Sequence, residues 1–361
     1  MSRAKKGVLI VGTGTIGEPL IHLFAKSKKE IDIGRVFFHK RTPLIEEVGK
    51  VKDMQNAGAY LVADNNETTF SKFKEIGLEP VMTIDECMRT ADVVIDCTPE
   101  GNKLKAKYYE SASNPKGFIA QGSEAGFGIP YAWTINDSAL ETDTRFIQVV
   151  SCNTHQILCI LNSLVLRRTA IDNLSFANFT IIRRASDMSE DKGILGMEAE
   201  KTSHAPYGSH QAFDAVRVLK TLGKNDFDLP VFAQALKAPT QYMHTIAFNI
   251  EQKNALNWRD AWTLLKSNKL VAFTKFKSTN RVFARARDSS RTILGRILNQ
   301  TVFFEPSLYV SGDGSRISGV CFTPQDGNAL LSSVAATLWL LDPKTYREKM
   351  NVFDKFLFEE I

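Results

Sequence analysis

The chain has 361 residues, a formal net charge of +5, and 43% apolar and 24% charged residues. That length accommodates about two domains, and the balance excludes a disordered or fibrous chain. The charge is too slight to argue for nucleic acid and suits small anionic ligands. Cys87, Cys97, Cys152, Cys159 and Cys321 are an odd set with no CxxC pair, which argues against a disulfide framework and a metal site and for reducing surroundings. No stretch approaches the ~18 apolar residues of a membrane helix; Leu330 to Leu341 is the best candidate and too short. The opening Met1 to Lys6 leads straight toward a strand without a signal-peptide core. A soluble cytoplasmic protein with neither a membrane nor a nucleic acid as partner is the expectation.

In chain order, strand-like and helix-like stretches alternate over residues 1–150, the mark of a parallel sheet flanked by helices. Gly7 to Val11 reads as a buried strand, Glu18 to Lys28 as a helix, and Arg35 to His39 as the second strand. Glu67 to Glu75 and Ile84 to Arg89 read as helices around a short strand, Pro80 to Met82. Ala91 to Cys97, Gly117 to Gln121 and Phe146 to Val150 supply further strands, and His155 to Leu166 a long helix. Ser175 to Arg183 and Met243 to Glu251 alternate as antiparallel strands do. These readings give an α/β Rossmann nucleotide-binding domain over 1–150 and an α+β catalytic domain with a mainly antiparallel sheet over 151–325. A C-terminal helical segment, 326–361, would return to the first domain.

Gly12-Thr13-Gly14-Thr15-Ile16-Gly17 lies between the first strand and the first helix. Gly12 would make the tight turn, Gly14 would admit a pyrophosphate to the backbone, and Gly17 would let helix and strand approach. The second strand ends His39-Lys40-Arg41 with no acid. A carboxylate there would bind the ribose 2′-hydroxyl of NAD, whereas Lys40 and Arg41 suit the 2′-phosphate of NADP; two solvated loop cations are the plainer alternative. The basic run from Lys266 to Arg296 reads as a solvated helix face or a subunit contact, with an anion-binding role as the lesser alternative.

Ser151-Cys152-Asn153-Thr154 follows a strand and opens a helix. A helix N-terminus favours a thiolate, which can attack a carbonyl while nearby N–H groups hold the oxyanion. A buried, inert cysteine is the alternative that position alone leaves open. His155 would either touch substrate or cap the helix.

Taken together the motifs resemble those of the archaeal-type (type II) glyceraldehyde-3-phosphate dehydrogenases. The likeness rests on Gly12 to Gly17, Lys40 before Pro43, Ile95-Asp96-Cys97-Thr98-Pro99-Glu100-Gly101 and Gln121-Gly122. It continues in Ser151 to Thr154, Arg183-Arg184-Ala185-Ser186-Asp187, Ser209-His210 before Asp214, and Pro239-Thr240 before Met243-His244. The resemblance implies Cys152 as nucleophile and His244 as general base, with Ser151, Asn153, Thr154, His210 and Gln211 lining the substrate site. It implies Gly12, Gly14, Thr15, Ile16, Gly17, Lys40, Arg41, Gly122, Arg184 and Gln325 at the cofactor, NADP ahead of NAD, and a homotetramer. The substrate would be an aldehyde or acyl compound, with phosphate or CoA as acyl acceptor. A CoA-acylating semialdehyde dehydrogenase and a non-catalytic dinucleotide sensor are the competing expectations. The sequence departs from the family at Cys159, where an arginine is usual, and at Gln211, where a second histidine is usual.

Overall fold

Residues 6–169, 171–186, 193–223 and 229–361 are described by a computed structural model, and Asp187 lies outside them. Their contacts form two units. One runs to Ile129 and includes Leu140–Val149 and Leu330–Asp354; the other comprises Pro130–Ala139, Val150–Ala329 and Lys355–Ile361.

The first unit begins with β1 (Gly7–Val11), α1 (Gly17–Ser27), β2 (Arg35–His39), α2 (Val48–Asn56), β3 (Tyr60–Ala63) and α3 (Glu67–Glu75). It continues with β4 (Met82–Thr83), α4 (Ile84–Met88), β5 (Val93–Asp96), α5 (Gly101–Leu104), β6 (Gly117–Gln121) and β8 (Phe146–Val149), while β7 (Ile129–Tyr131) begins at the last residue of its first segment. The sheet order is β4-β3-β2-β1-β5-β6-β8-β7, and the pairs from β4 through β8 are parallel. Every residue of β1 and β5 is buried, as strands covered on both faces must be. The order around β1 is that of a doubly wound nucleotide-binding sheet, whose ligands lie beyond the carboxyl ends of the strands.

Among the elements not anticipated from sequence are α2 and β3. Helix α2 buries only Val51 and Met54, and β3 has only four residues; both give weak periodic signals. The short strand is Met82–Thr83 rather than Pro80 to Met82. The helix Leu330–Leu341 is buried along its whole length and packs against β5, β6 and β8. Lys116 Nζ donates to Leu341 O at 3.3 Å, and Ser333 Oγ donates to Gln121 Oε1 at 3.0 Å.

The second unit contains α6 (Cys152–Leu161), β9 (Leu174–Arg183), β10 (Glu198–Ala199), α7 (His210–Lys220), β11 (Val231–Lys237) and β12 (His244–Gln252). It continues through α8 (Trp258–Lys266), β13 (Val271–Thr274), α9 (Thr279–Arg287), β14 (Thr301–Phe304), β15 (Tyr309–Val310) and β16 (Arg316–Thr323). The sheet runs β10-β11-β9-β12-β16-β14-β13, with β15 beside β16. β9 and β12 pair antiparallel, Phe248 opposite Phe179, whereas β11–β9 and β13–β14 are parallel. Antiparallel pairs thus predominate in a mixed sheet. Helix α6 starts at Cys152, three residues earlier than the sequence suggested, and continues as a π-helical turn over Asn162–Leu166. Residues Asn153–Leu161 are all buried, against α7, β14 and β16.

Candidate functional site

In the first unit a cavity of about 1290 Å³ opens where the strand ends of the parallel sheet meet the Gly12 loop. The three glycines have distinct reasons to be glycine. Gly12 has φ +94°, in the left-handed region where a side chain is strained. A Cβ on Gly17 would lie 2.1 Å from the Gly12 carbonyl oxygen, so only glycine lets α1 start there. A Cβ on Gly14 would meet nothing within 4 Å; the protein leaves that space open beside the cavity. This is the cradle a pyrophosphate needs in front of a helix N-terminus. Thr15 and Ile16 complete the turn into α1, Ile16 at its N-cap, and Gly122, at φ +75°, follows β6. Asp96 of the Ile95 to Gly101 motif is buried and accepts from Thr98 N and Oγ1 and from Tyr109 Oη. It builds the turn rather than offering itself to a ligand.

The far rim corrects one expectation. The end of β2 has no acid in its own sequence, but the fold brings two there. Lys40 Nζ donates to Glu47 Oε2, and His39 Nε2 lies 2.7 Å from Asp64 Oδ1. Burial works to raise the Glu47 carboxyl, yet the hydrogen bond and charge of Lys40, with Lys50, hold it below its usual value. The His39 hydrogen bond likewise lowers Asp64, with Arg41 adding to it. Lys40 is buried, and Arg41 is exposed at the cavity rim.

In the second unit Cys152 is the first residue of α6, behind the N-cap Ser151, and is partly accessible. Burial pushes its thiol up to about 12, and Asp326 adds to this; Arg183, Arg184 and the Asn153 N–H work the other way. Burial thus outweighs the two arginines and the Asn153 N–H, and the net shift of the thiol is upward. His244 opens β12 and is 3% exposed. Burial, then Arg183 and Arg184, lower its pKa to about 3, against a hydrogen bond that the ring makes to Gln325, which raises it. Its Nδ1 lies 2.9 Å from the backbone nitrogen of Arg184. A backbone N–H can only donate, so Nδ1 is the acceptor and the neutral ring carries its hydrogen on Nε2.

The other sequence-predicted residues fall around this pair. Asn153 Oδ1 accepts from Thr323 Oγ1 at 3.2 Å. Ser151 Oγ and Thr154 Oγ1 are 2.9 Å apart, and Thr154 Oγ1 also donates to Gln211 O at 3.4 Å. Thr154 is fully buried and ties α6 to α7 rather than facing a ligand. Gln211 is 2% exposed, and its Oε1 has no hydrogen bond among the described residues, an unmet acceptor that a ligand hydroxyl would satisfy. His210 opens α7 and lines a polar pocket of about 40 Å³ with Lys201, Ser203 and Ser209. His155 is buried, near 4 in pKa through desolvation, and its Nδ1 donates to Ser151 O at 3.1 Å, a carbonyl that also accepts from His155 N, so the ring packs against the first turn of α6 without capping it. Arg184 and Gln325 flank His244 within this unit. No group of three or more His, Cys, Asp or Glu among the described residues could hold a metal, and no helix among them is long and apolar enough to cross a membrane.

No protein-family model matches the chain. It is 29% identical to the glyceraldehyde-3-phosphate dehydrogenase of Pyrobaculum islandicum over 299 residues, 78% of each chain. To the enzyme of that name from Metallosphaera sedula it is 27% identical over 316 residues, 85% of this chain and 84% of the relative. The counterpart from Pyrobaculum calidifontis is 31% identical over 239 residues, 65% and 63% of the two chains. The chain is a homologue of the archaeal glyceraldehyde-3-phosphate dehydrogenases. Its Rossmann-type parallel sheet and its mixed second sheet form the glyceraldehyde-3-phosphate dehydrogenase-like fold. Sequence reading of this homologue missed Glu47, Asp64, Asp326 and Asn328, all of which act on residues it did single out. The only signal for the last two was the Pro324-Gln325-Asp326-Gly327-Asn328 turn itself.

Proposed function

We propose that the protein is a phosphorylating glyceraldehyde-3-phosphate dehydrogenase that works through a thioester on Cys152. The observation that carries this reading is that His244 lies opposite Thr323 in the β12–β16 ladder, while Thr323 Oγ1 donates to Asn153 Oδ1, next to Cys152. The relatives' name supports the substrate. The glycine cradle and the cavity support a nicotinamide dinucleotide held by Gly12, Gly14, Thr15, Ile16, Gly17 and Gly122, with NADP preferred over NAD. Lys40 is engaged by Glu47, so that preference rests chiefly on exposed Arg41. When bound, the dinucleotide supplies the hydride acceptor or donor.

Cys152 Sγ attacks the aldehyde carbon, and the thiol proton passes to the carbonyl oxygen, giving a hemithioacetal. His244 serves as a hydrogen-bond donor through Nε2–H while charge develops on that oxygen during the attack, before the thiol proton arrives; the hydroxyl proton would pass to solvent water as a bound dinucleotide took up the hydride. To act as the general base expected from sequence, the ring would have to shift its hydrogen to Nδ1 and lose the Arg184 bond. Ser151, Asn153, His210 and the unmet oxygen of Gln211 hold the rest of the substrate, Arg184 and Gln325 support His244, and phosphate releases the acyl group. The test is a steady-state assay with glyceraldehyde-3-phosphate, phosphate or arsenate, and each dinucleotide, beside malonyl-CoA and succinyl-CoA. Turnover with the triose phosphate, abolished in Cys152→Ser with dinucleotide affinity retained, is the expected result. Activity in Cys152→Ser would remove the covalent mechanism, and turnover of an acyl-CoA alone would reassign the substrate.

A further inference from the structure

β16 ends at Thr323, and the five residues after it form a tight turn with Gln325 N bonded to Thr323 O at 2.7 Å and Asn328 N bonded to Pro324 O at 3.0 Å. Asp326 sits at φ +64°, in the left-handed region, where a residue other than glycine is strained. A Cβ on Gly327 would lie 2.1 Å from the Ile297 carbonyl oxygen, so the turn is seated hard against its neighbour. The side chains that leave this turn reach both members of the reacting pair. Asn328 Nδ2 donates to Cys152 O at 2.8 Å and to Gln300 O at 3.0 Å. Both partners are carbonyl oxygens, so the carboxamide orientation is fixed. Its Oδ1 makes no hydrogen bond among the described residues although the residue is 1% exposed, a cost that the two donated bonds must offset. Asp326 Oδ2 accepts from Arg184 Nη2 at 3.3 Å, with side-chain exposures of 7% and 1%. Arg184 Nη1 reaches Tyr242 O at 3.3 Å, and its backbone N–H holds His244 Nδ1.

We propose that Asp326 and Asn328 are positioning residues for the reaction, Asn328 fixing Cys152 through its carbonyl and Asp326 fixing His244 through Arg184. The inference rests on the reading of Cys152 and His244 as the reacting pair. One rigid turn then sets the placement of nucleophile and donor, which come from sequence positions 92 residues apart. Misplacement by about 1 Å can cost ~10²-fold in rate, so the rigidity of the turn has a direct bearing on turnover. Asp326 also differs from Asn328 in charge. The charged groups acting on the Cys152 thiol are Asp326, Arg183 and Arg184, and removing the only anion among them leaves the two cations.

The test uses the full-length protein as Asn328→Ala and Asp326→Asn, with Cys152→Ser alongside. Both positioning variants should lose about tenfold or more in kcat, with dinucleotide affinity within about twofold of wild type. Asp326→Asn should also label Cys152 with iodoacetamide about threefold faster at pH 8, because more thiolate is present, whereas Asn328→Ala should not. A merely structural defect would slow turnover without that opposite change in labelling. Wild-type kcat in both variants, or unchanged labelling in Asp326→Asn, would overturn the proposal. Should Asn328→Ala lack a cooperative unfolding transition, the nearly isosteric Asp326→Asn decides alone. Residual activity in Cys152→Ser would instead indict the reading of the reacting pair.

Discussion

The ring of His244 has one nitrogen committed to a backbone donor, and that one bond decides what the other nitrogen can do. A neutral imidazole with its hydrogen on Nε2 polarises an oxygen by donating to it. Glutamine reaches about as far as Nε2 and also donates, whereas alanine does neither. His244→Ala should therefore lower kcat by ~10²–10³-fold, and His244→Gln should recover part of that loss. A glutamine variant no better than alanine, with a rate that falls below a single pKa near neutrality, would restore the general-base role. At the cofactor rim the ion pair of Lys40 with Glu47 makes Arg41 the residue to change. Arg41→Ala should weaken NADP binding about tenfold, the value of one charge-assisted hydrogen bond, and leave NAD binding unchanged. Equal losses for both dinucleotides by calorimetry would sink the preference for NADP.

The loop between β1 and α1 offers the cleanest separation of binding from folding. Gly14 has no protein atom near its missing Cβ, while Gly17 faces a backbone oxygen at 2.1 Å. Gly14→Ala should thus leave the unfolding temperature within about 2 °C of wild type, since exposed substitutions stay within about 0.5 kcal/mol. Its dinucleotide affinity should fall about tenfold or more, because the methyl group fills the approach to the pyrophosphate. Gly17→Ala should lose stability and binding together. If Gly14→Ala bound as wild type, the cradle would hold something else. This loop was legible from sequence because strand, glycines and helix are contiguous there. So were β9 and β12, whose alternation appears in their register. Helix α2 was not, since its two buried residues leave almost no amphipathic signal. Nor were the partners of the named residues: Glu47 and Asp64 reach the end of β2 from other elements, and Asn328 meets Cys152 across 176 positions. The contacts of Asp64 and Asn328 depend on which distant elements become neighbours, which no local pattern encodes, whereas Glu47 reaches Lys40 from seven residues on.

Across the whole molecule, the site's buried histidines make stability depend on pH in a predictable direction. His155 and His244 are 0% and 3% exposed, and desolvation, their largest common cause, holds them near 4 and near 3 in the folded state. In the unfolded chain each returns to about 6.5. Below pH ~6.5 the unfolded chain therefore binds protons that the folded chain refuses, and stability falls as the pH drops toward those folded values. These two groups alone give a slope approaching about 3 kcal/mol per pH unit once both are charged in the unfolded chain, and His210, lowered chiefly by desolvation, acts in the same direction. Asp96 and Asp214, raised chiefly by burial, oppose this. Glu47 and Asp64 are lowered, so their ion pairs weaken only as acid protonates the carboxylates, below this window. Urea midpoints should accordingly be near constant from pH 8 to 7 and drop steeply between pH 6 and 5. His155→Asn keeps a donor in the Nδ1 position for Ser151 O but cannot titrate, so it should reduce the slope by about 1.4 kcal/mol per pH unit. A midpoint that is flat from pH 7 to 5 in wild type, or a His155→Asn slope equal to wild type, would show that the fold tolerates these rings as cations.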